Sequence, residues 1–177
     1  AERRITEGPE GMGIVCFITN NHWLDGLSFT GMRERYLNVF DKIWIDSLNG
    51  DKYKTGKLTP DGRPDPSIFS TEHNREGIQV GTAVTLLVRR SLHSPADSVS
   101  VQQFWGVDKR SRLVALASGE SVAEHEQVAP SLAVGQPFLP TSVADGYSGW
   151  PTITALFPVW FSGVKTARDE LLVDVDR

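Results

Sequence analysis

Gly13-Ile14-Val15-Cys16-Phe17-Ile18-Thr19 is a run of apolar and β-branched residues that opens on glycine and closes on Asn20-Asn21. A run of this kind, bounded by turn formers, predicts a strand buried on both faces, with parallel neighbours and an inert buried thiol at Cys16. Next, Ser28 heads a stretch in which Phe29, Met32, Tyr36 and Phe40 recur at helical spacing, with Arg33, Glu34 and Asn38 on the other side. The spacing predicts an amphipathic helix capped by Ser28. Lys42 to Leu48 then alternates apolar and polar residues and stops at Asn49-Gly50. Strand, helix and strand therefore follow in the order of a right-handed βαβ unit.

Beyond this unit, Asn49 to Glu76 carries Gly50, Gly56, Pro60, Gly62, Pro64 and Pro66 among many charges, the composition of a long surface loop. Loops of that length in compact domains are usually functional or mobile. Ile78 to Val88 reads as a strongly apolar strand ending at Arg89-Arg90, and Val99–Val107 with Leu113–Ala117 reads as a strand pair joined through Asp108-Lys109-Arg110-Ser111. Pro130, Pro137 and Pro140 with Gly135, Gly146 and Gly149 mark an irregular connector. These shifts divide the chain into an α/β part at 1–90, a β extension and connector at 91–147, and a further unit at 148–177.

The chain has 177 residues, 40% hydrophobic and 23% charged, with 16 Gly and 10 Pro, which excludes collagen-like, coiled-coil and wholly disordered classes. Its apolar runs are far shorter than the roughly 20 residues of a membrane-spanning helix. A single cysteine forms no internal disulfide, and no apolar signal core follows Ala1, so a reducing cytoplasm is the expected compartment. The formal charge of −4, and the absence of Lys and Arg between Leu113 and Val164, argue against tight binding of nucleic acid by this chain alone.

A search for catalytic chemistry finds no complete site. The four histidines, His22, His73, His93 and His125, show no metal-binding spacing, and Glu124-His125-Glu126 reads as a solvated acidic turn. Gly8, Gly11 and Gly13 precede a strand, whereas a dinucleotide loop follows one. Thr19-Asn20-Asn21-His22-Trp23-Leu24-Asp25 lies just past the carboxyl end of the first strand, where open α/β sheets hold ligands. Those residues equally suit a polar connecting loop with one aromatic anchor. Lys165-Thr166-Ala167-Arg168-Asp169 suits a solvated turn or a phosphate contact.

The order of several short motifs carries further. Gly13 to Asn21, followed by Trp23-Leu24-Asp25-Gly26 and Gly31-Met32-Arg33, resembles the segment after the catalytic tetrapeptide of adenine-N6 DNA methyltransferases, above all the Type ISP restriction-modification family. Asp41-Lys42-Ile43 and Gly77-Ile78-Gln79-Val80-Gly81 resemble the next two strands of that pattern. Leu156-Phe157-Pro158-Val159, Gly163-Val164-Lys165-Thr166 and Arg168-Asp169 resemble the lead-in to its target-recognition domain.

The resemblance implies an α/β fold that is a partial Rossmann-like methyltransferase sheet, its fifth to seventh strands, with a β-rich, irregular C-terminal extension. It implies that Asn20, Asn21 and Trp23 border the target-base cleft and that Lys165 and Arg168 approach double-stranded DNA in the intact parent. It implies S-adenosylmethionine as the parent's methyl donor, the remaining domains of the same polypeptide as partners, and no catalytic residue here. The glycine-rich donor loop and the Asn-Pro-Pro-Tyr-type tetrapeptide of the family do not occur in this sequence. Asn74-Arg75-Glu76-Gly77 is charged where that pattern carries an apolar pair that packs on the flipped base. The alternative class is a non-catalytic α/β module that docks a protein partner through Trp150, Phe157, Trp160 and Phe161, residues that equally suit the core of a C-terminal lobe.

Overall fold

A computed structural model describes residues 2–8 and 11–159. After a short helix, α1 (Glu2–Thr6), the chain forms strand β1 (Gly13–Asn20), helix α2 (Thr30–Val39) and strand β2 (Lys42–Asn49). A loop leads to β3 (Thr82–Arg89) and β4 (Val99–Gln103), then to helix α3 (Lys109–Ser118) and the short strand β5 (Glu126–Val128). The strands make one five-stranded sheet in the order β1-β3-β2-β4-β5. Only β2 and β4 are paired parallel; the other neighbours run antiparallel.

The expectation that the first strand has parallel neighbours is corrected here: its partner, β3, runs antiparallel to it. β3 lies between β1 and β2, in register from Gly13↔Arg89 to Asn20↔Thr82 on the β1 side and from Lys42↔Val88 on the β2 side. β1 and β2 still point the same way, because both oppose β3. Nor is β1 buried on both faces: Val15 and Phe17 turn inward, while Ile14, Cys16 and Ile18 are exposed. Its uniformly apolar run conceals an edge position, since β1 has no second neighbour among the described residues. Cys16 is correspondingly an exposed thiol.

The inward face is the core. Ile43 and Ile45 of β2, Ala83 and Leu87 of β3, and Val99 and Val101 of β4 pack against Leu37 of α2 and against Phe40, Leu24 and Phe138. Trp23 is buried at the centre of an aromatic group, 6.0 Å from Phe17, 5.9 Å from Tyr36 and 5.7 Å from Phe138 between ring centroids. Burying one such indole contributes about 2–3 kcal/mol.

α2 begins at Thr30 after a 3-10 turn at Leu27–Phe29, and Ser28 caps neither element. Arg33, expected on the outer side, is fully buried. Its guanidinium donates to the carbonyls of Trp23, Gly26, Gly135 and Gln136 and to Thr30 Oγ1, so all of its donors work inside the protein. This hub ties the Gly135–Phe138 segment to α2, and Phe138 N–H donates to Leu24 O beside it. Helical periodicity cannot distinguish a solvated arginine from one satisfied by carbonyls.

The stretch expected to turn back as a strand at 113–117 is instead α3, which ends on Gly119 in the left-handed conformation. Its Leu113, Val114 and Leu116 fit either period in so short a run, and Asp108-Lys109-Arg110-Ser111 begins the helix instead of closing a hairpin. A second compact unit starts at Ser142 and contains α4 (Ile153–Leu156), whose first turn is capped by Thr152 Oγ1. Within that unit Trp150, Ile153, Leu156 and Phe157 are exposed. No helix among the described residues is long and apolar enough to cross a membrane.

Candidate functional site

The carboxyl ends of β1 and β2 and the amino end of β3 meet at one edge of the sheet, because Asn20 and Asn49 both lie opposite Thr82. Asn20 is exposed and its Oδ1 accepts from His22 N–H, which starts a 3-10 turn. Asn21 is buried; its backbone N–H donates to Gly81 O, while its side-chain Oδ1 has no hydrogen-bond partner. A Cβ at Gly81 would collide with the Asn21 side-chain amide, so the glycine is needed for this close approach. Trp23, the third residue expected at a base cleft, is instead largely core, with Nε1–H donating to Thr19 Oγ1. The part of it still accessible lines a small apolar groove of about 250 Å³ with Asn20, Phe29 and Met32.

The long loop between β2 and β3 is pinned to this edge by two buried carboxylates. Asp51 accepts from the N–H groups of Tyr53 and Lys54 and, across the loop, from Gly81 at 2.8 Å. Burial alone raises the Asp51 pKa, but those three donors and nearby His22 outweigh it and hold the carboxyl below its usual range. Asp65 accepts from Gly50 N–H and Gly106 N–H and pairs with Lys109 Nζ at 2.6 Å, and Lys109 also donates to Pro66 O. Burial pulls the Lys109 pKa down against the opposing pull of Asp65. Loop, β4 end and α3 thus share one joint.

That joint fixes a slot on the sheet face opposite α2. Its walls are Ile18 of β1, Leu48 of β2, Val84 of β3, Ile68 of the loop and Leu113 of α3, around a cavity of about 420 Å³. Phe69, 41% exposed, and the exposed Arg110 also line it. Ser70 lines the slot, and its Oγ is buried without a hydrogen-bond partner. Gly77 closes the turn behind these residues at φ +57°, where a Cβ would meet Ser70 N at 2.8 Å.

Most cations around this edge are already engaged: Lys52 pairs with Glu76, Lys54 with Asp25, and Arg63 with Asp61, while Lys57 donates to Glu76 O. The hydrogen bond and charge of Lys52 hold the Glu76 carboxyl below its usual range. Arg110 has no acidic partner among the described residues, and Arg112 lies over the Phe104 ring at 4.9 Å. Lys165 and Arg168 lie outside the described residues. No three His, Cys, Asp or Glu side chains converge as a metal site among the described residues. Sequence reading missed Asp51, Asp65, Phe69 and Ser70, because a polar loop gives no periodic signal for which of its residues turn inward, and it missed Arg110, because the 108–111 stretch read as a turn instead of the start of α3.

The fold is that of a mixed α/β sheet with α2 packed on one face and, on the other, the slot lined by the loop and α3. No protein-family model matches the sequence, and no curated protein does. Several solved structures are similar, and three represent them. One is the ATP-dependent Type ISP restriction-modification enzyme LlaBIII bound to DNA, with a TM-score of 0.54 and 20% identity over 76% of this chain and 9% of that one. The others are a DrdV–DNA complex, with TM-score 0.49 and 24% identity over 70% of this chain and 11% of that one, and a nuclease-deletion mutant of the Type ISP enzyme LlaGI with a DNA substrate mimic, with TM-score 0.49 and 19% identity over the same shares. The likeness to LlaBIII is one of fold, and this chain spans 9% to 11% of the length of these three structures.

Proposed function

We propose that the chain is a piece of a DNA restriction-modification enzyme, and that within it these strands form the back half of an adenine-N6 methyltransferase sheet. The observation that carries the reading is the strand order β1-β3-β2, with β3 antiparallel to both neighbours. A methyltransferase sheet ends in this way, its seventh strand turned back between the fifth and sixth. The segments concerned are those whose motifs resemble the fifth, sixth and seventh strands. The fold likeness to LlaBIII supports the restriction-modification part of the reading and does not reach the methyltransferase part, since a fold alone does not specify chemistry.

Methyl transfer to an adenine amine requires the base to leave the duplex and to be held close to the methyl donor. In this reading the edge formed by Asn20, Asn21 and the Ile68–Thr71 turn faces the target nucleotide, and the buried Asp51 and Asp65 keep the loop in place. Among the described residues no glycine-rich loop follows a strand in the way that would hold S-adenosylmethionine. Gly11 and Gly13 lead into β1 instead of following a strand, and no amine-orienting tetrapeptide is present. The chain by itself is therefore expected to be catalytically silent, with donor and DNA bound in the intact parent.

Calorimetric titration of the chain with S-adenosylmethionine should give no binding heat; micromolar binding would overturn the fragment reading. The polypeptide that contains the chain should transfer a labelled methyl group to adenine N6 in duplex DNA, and label on cytosine or no transfer counts against the methyltransferase assignment. A protein-docking module is the second reading, favoured by the exposed Trp150 and Phe157 in the unit that starts at Ser142. Capture of a protein partner, lost when these two side chains are truncated, would support it.

A further inference from the structure

We propose that the free edge of β1 is a self-association surface, pairing antiparallel with β1 of a second copy of the chain about a two-fold axis at Cys16. The proposal goes beyond the restriction-modification reading and does not depend on it. An edge takes one strand at a time, so the dimer and a sheet extended within a longer polypeptide are alternatives.

The backbone shows what this edge offers. Asn21 N–H donates to Gly81 O, which continues the unbroken register between β1 and β3. Along a strand the backbone groups of successive residues point to opposite sides. The N–H and C=O groups of Ile14, Cys16 and Ile18 therefore face away from β3, where no strand meets them among the described residues.

Folded sheets blunt such an edge with charge, proline, a bulge or brevity. β1 uses none of these devices: Gly13–Asn20 is eight residues long, has no charged residue and no proline, and keeps its register with β3 throughout. The opposite edge of the sheet shows the contrast. β5 is three residues long, and the exposed carboxylates of Glu124 and Glu126 guard it.

A second copy fits because β1 is complementary to itself. With the axis at Cys16, Ile14 lies opposite Ile18 of the second copy and Ile18 opposite its Ile14, on the face where these side chains are 67% and 59% exposed. On the other face Val15 meets Phe17 of the second copy, beside a groove of about 420 Å³ that Tyr36 and Phe40 also line. The three outward-facing residues of each strand exchange about six backbone hydrogen bonds. No like charges oppose one another along the seam, since the strand carries none.

The test uses the full chain. Light scattering behind size-exclusion chromatography at high protein concentration should give the mass of two chains, and the mass of one overturns the proposal. Cys16 is the one cysteine and is exposed, so a short bis-maleimide should join two chains through it. A dimer that resists this cross-link overturns the axis at Cys16. Ile14→Lys/Ile18→Lys sets like charges opposite each other at two places and should weaken dimerisation at least about tenfold. Ile14→Lys/Ile18→Glu sets opposite charges at the same two places and should recover most of that loss. Both positions are exposed, and circular dichroism confirms that the variants fold. A double-lysine variant that dimerises like the parent, or a folded Lys/Glu variant that dimerises no better than it, overturns this pairing.

Discussion

Lys109→Met tests how the site is held together. Lys109 and Asp65 are 2% and 0% exposed and 2.6 Å apart. At an effective dielectric of about 20 their attraction is about 6 kcal/mol, largely offset by the several kcal/mol needed to desolvate each ion. The pair as a whole therefore contributes little net stability. Removing one partner is another matter. It leaves the Asp65 carboxylate buried with only Gly50 N–H and Gly106 N–H, and costs about 3–5 kcal/mol. Lys109→Met/Asp65→Asn removes the stranded charge and should recover about 2 kcal/mol of that loss. Urea unfolding followed by tryptophan fluorescence gives the cycle. Hydrogen exchange should place the damage at the Gly50 and Gly106 amides. A loss under about 1 kcal/mol for Lys109→Met, or additive effects in the double variant, would refute the joint.

Other perturbations follow from the same geometry. Arg33→Met removes donors to four carbonyls and should cost about 2–4 kcal/mol, with faster exchange of the Phe138 amide; Arg33→Lys should not rescue it, since one ammonium cannot span those acceptors. Burial raises the Asp41 pKa, but the Arg90 and Ser94 N–H groups and His93 outweigh it and hold the carboxyl well below the usual carboxylate range. Its contribution should therefore be complete above about pH 4 and fall away as pH drops towards the folded-state value. Asp41→Asn should flatten the acid limb of stability measured by urea titration across pH. Cys16 should react with a thiol reagent in the native chain nearly as fast as in urea, and strong native protection would restore the buried position expected from sequence.

Much of the strand framework was legible in sequence because β-branched runs and glycine boundaries locate β1, β2 and most of β3. The alternation in Lys42–Leu48 matches a strand that buries Ile43 and Ile45 on the covered face. Adjacency was not legible from periodicity, because an apolar run such as Gly13–Thr19 reads the same in a central strand and at an edge. The insertion of β3 is a long-range pairing with no local signal. Arg33 and the 113–117 stretch misled for a related reason: burial of a charge depends on acceptors more than a hundred residues away, such as Gly135 and Gln136, and a five-residue apolar run fits two periods. The slot was the least legible part, since Ile68, Phe69 and Ser70 lie in a stretch whose composition signals only a loop.

The proposed function requires that these strands complete a sheet whose donor-binding half lies earlier in the same polypeptide. The coding sequence immediately upstream of Ala1 tests it most directly. The expected result is, in frame, an Asn-Pro-Pro-Tyr-type tetrapeptide and, before it, a strand followed by a glycine-rich loop. A start codon directly preceding Ala1, or an in-frame upstream region lacking both motifs, would contradict it.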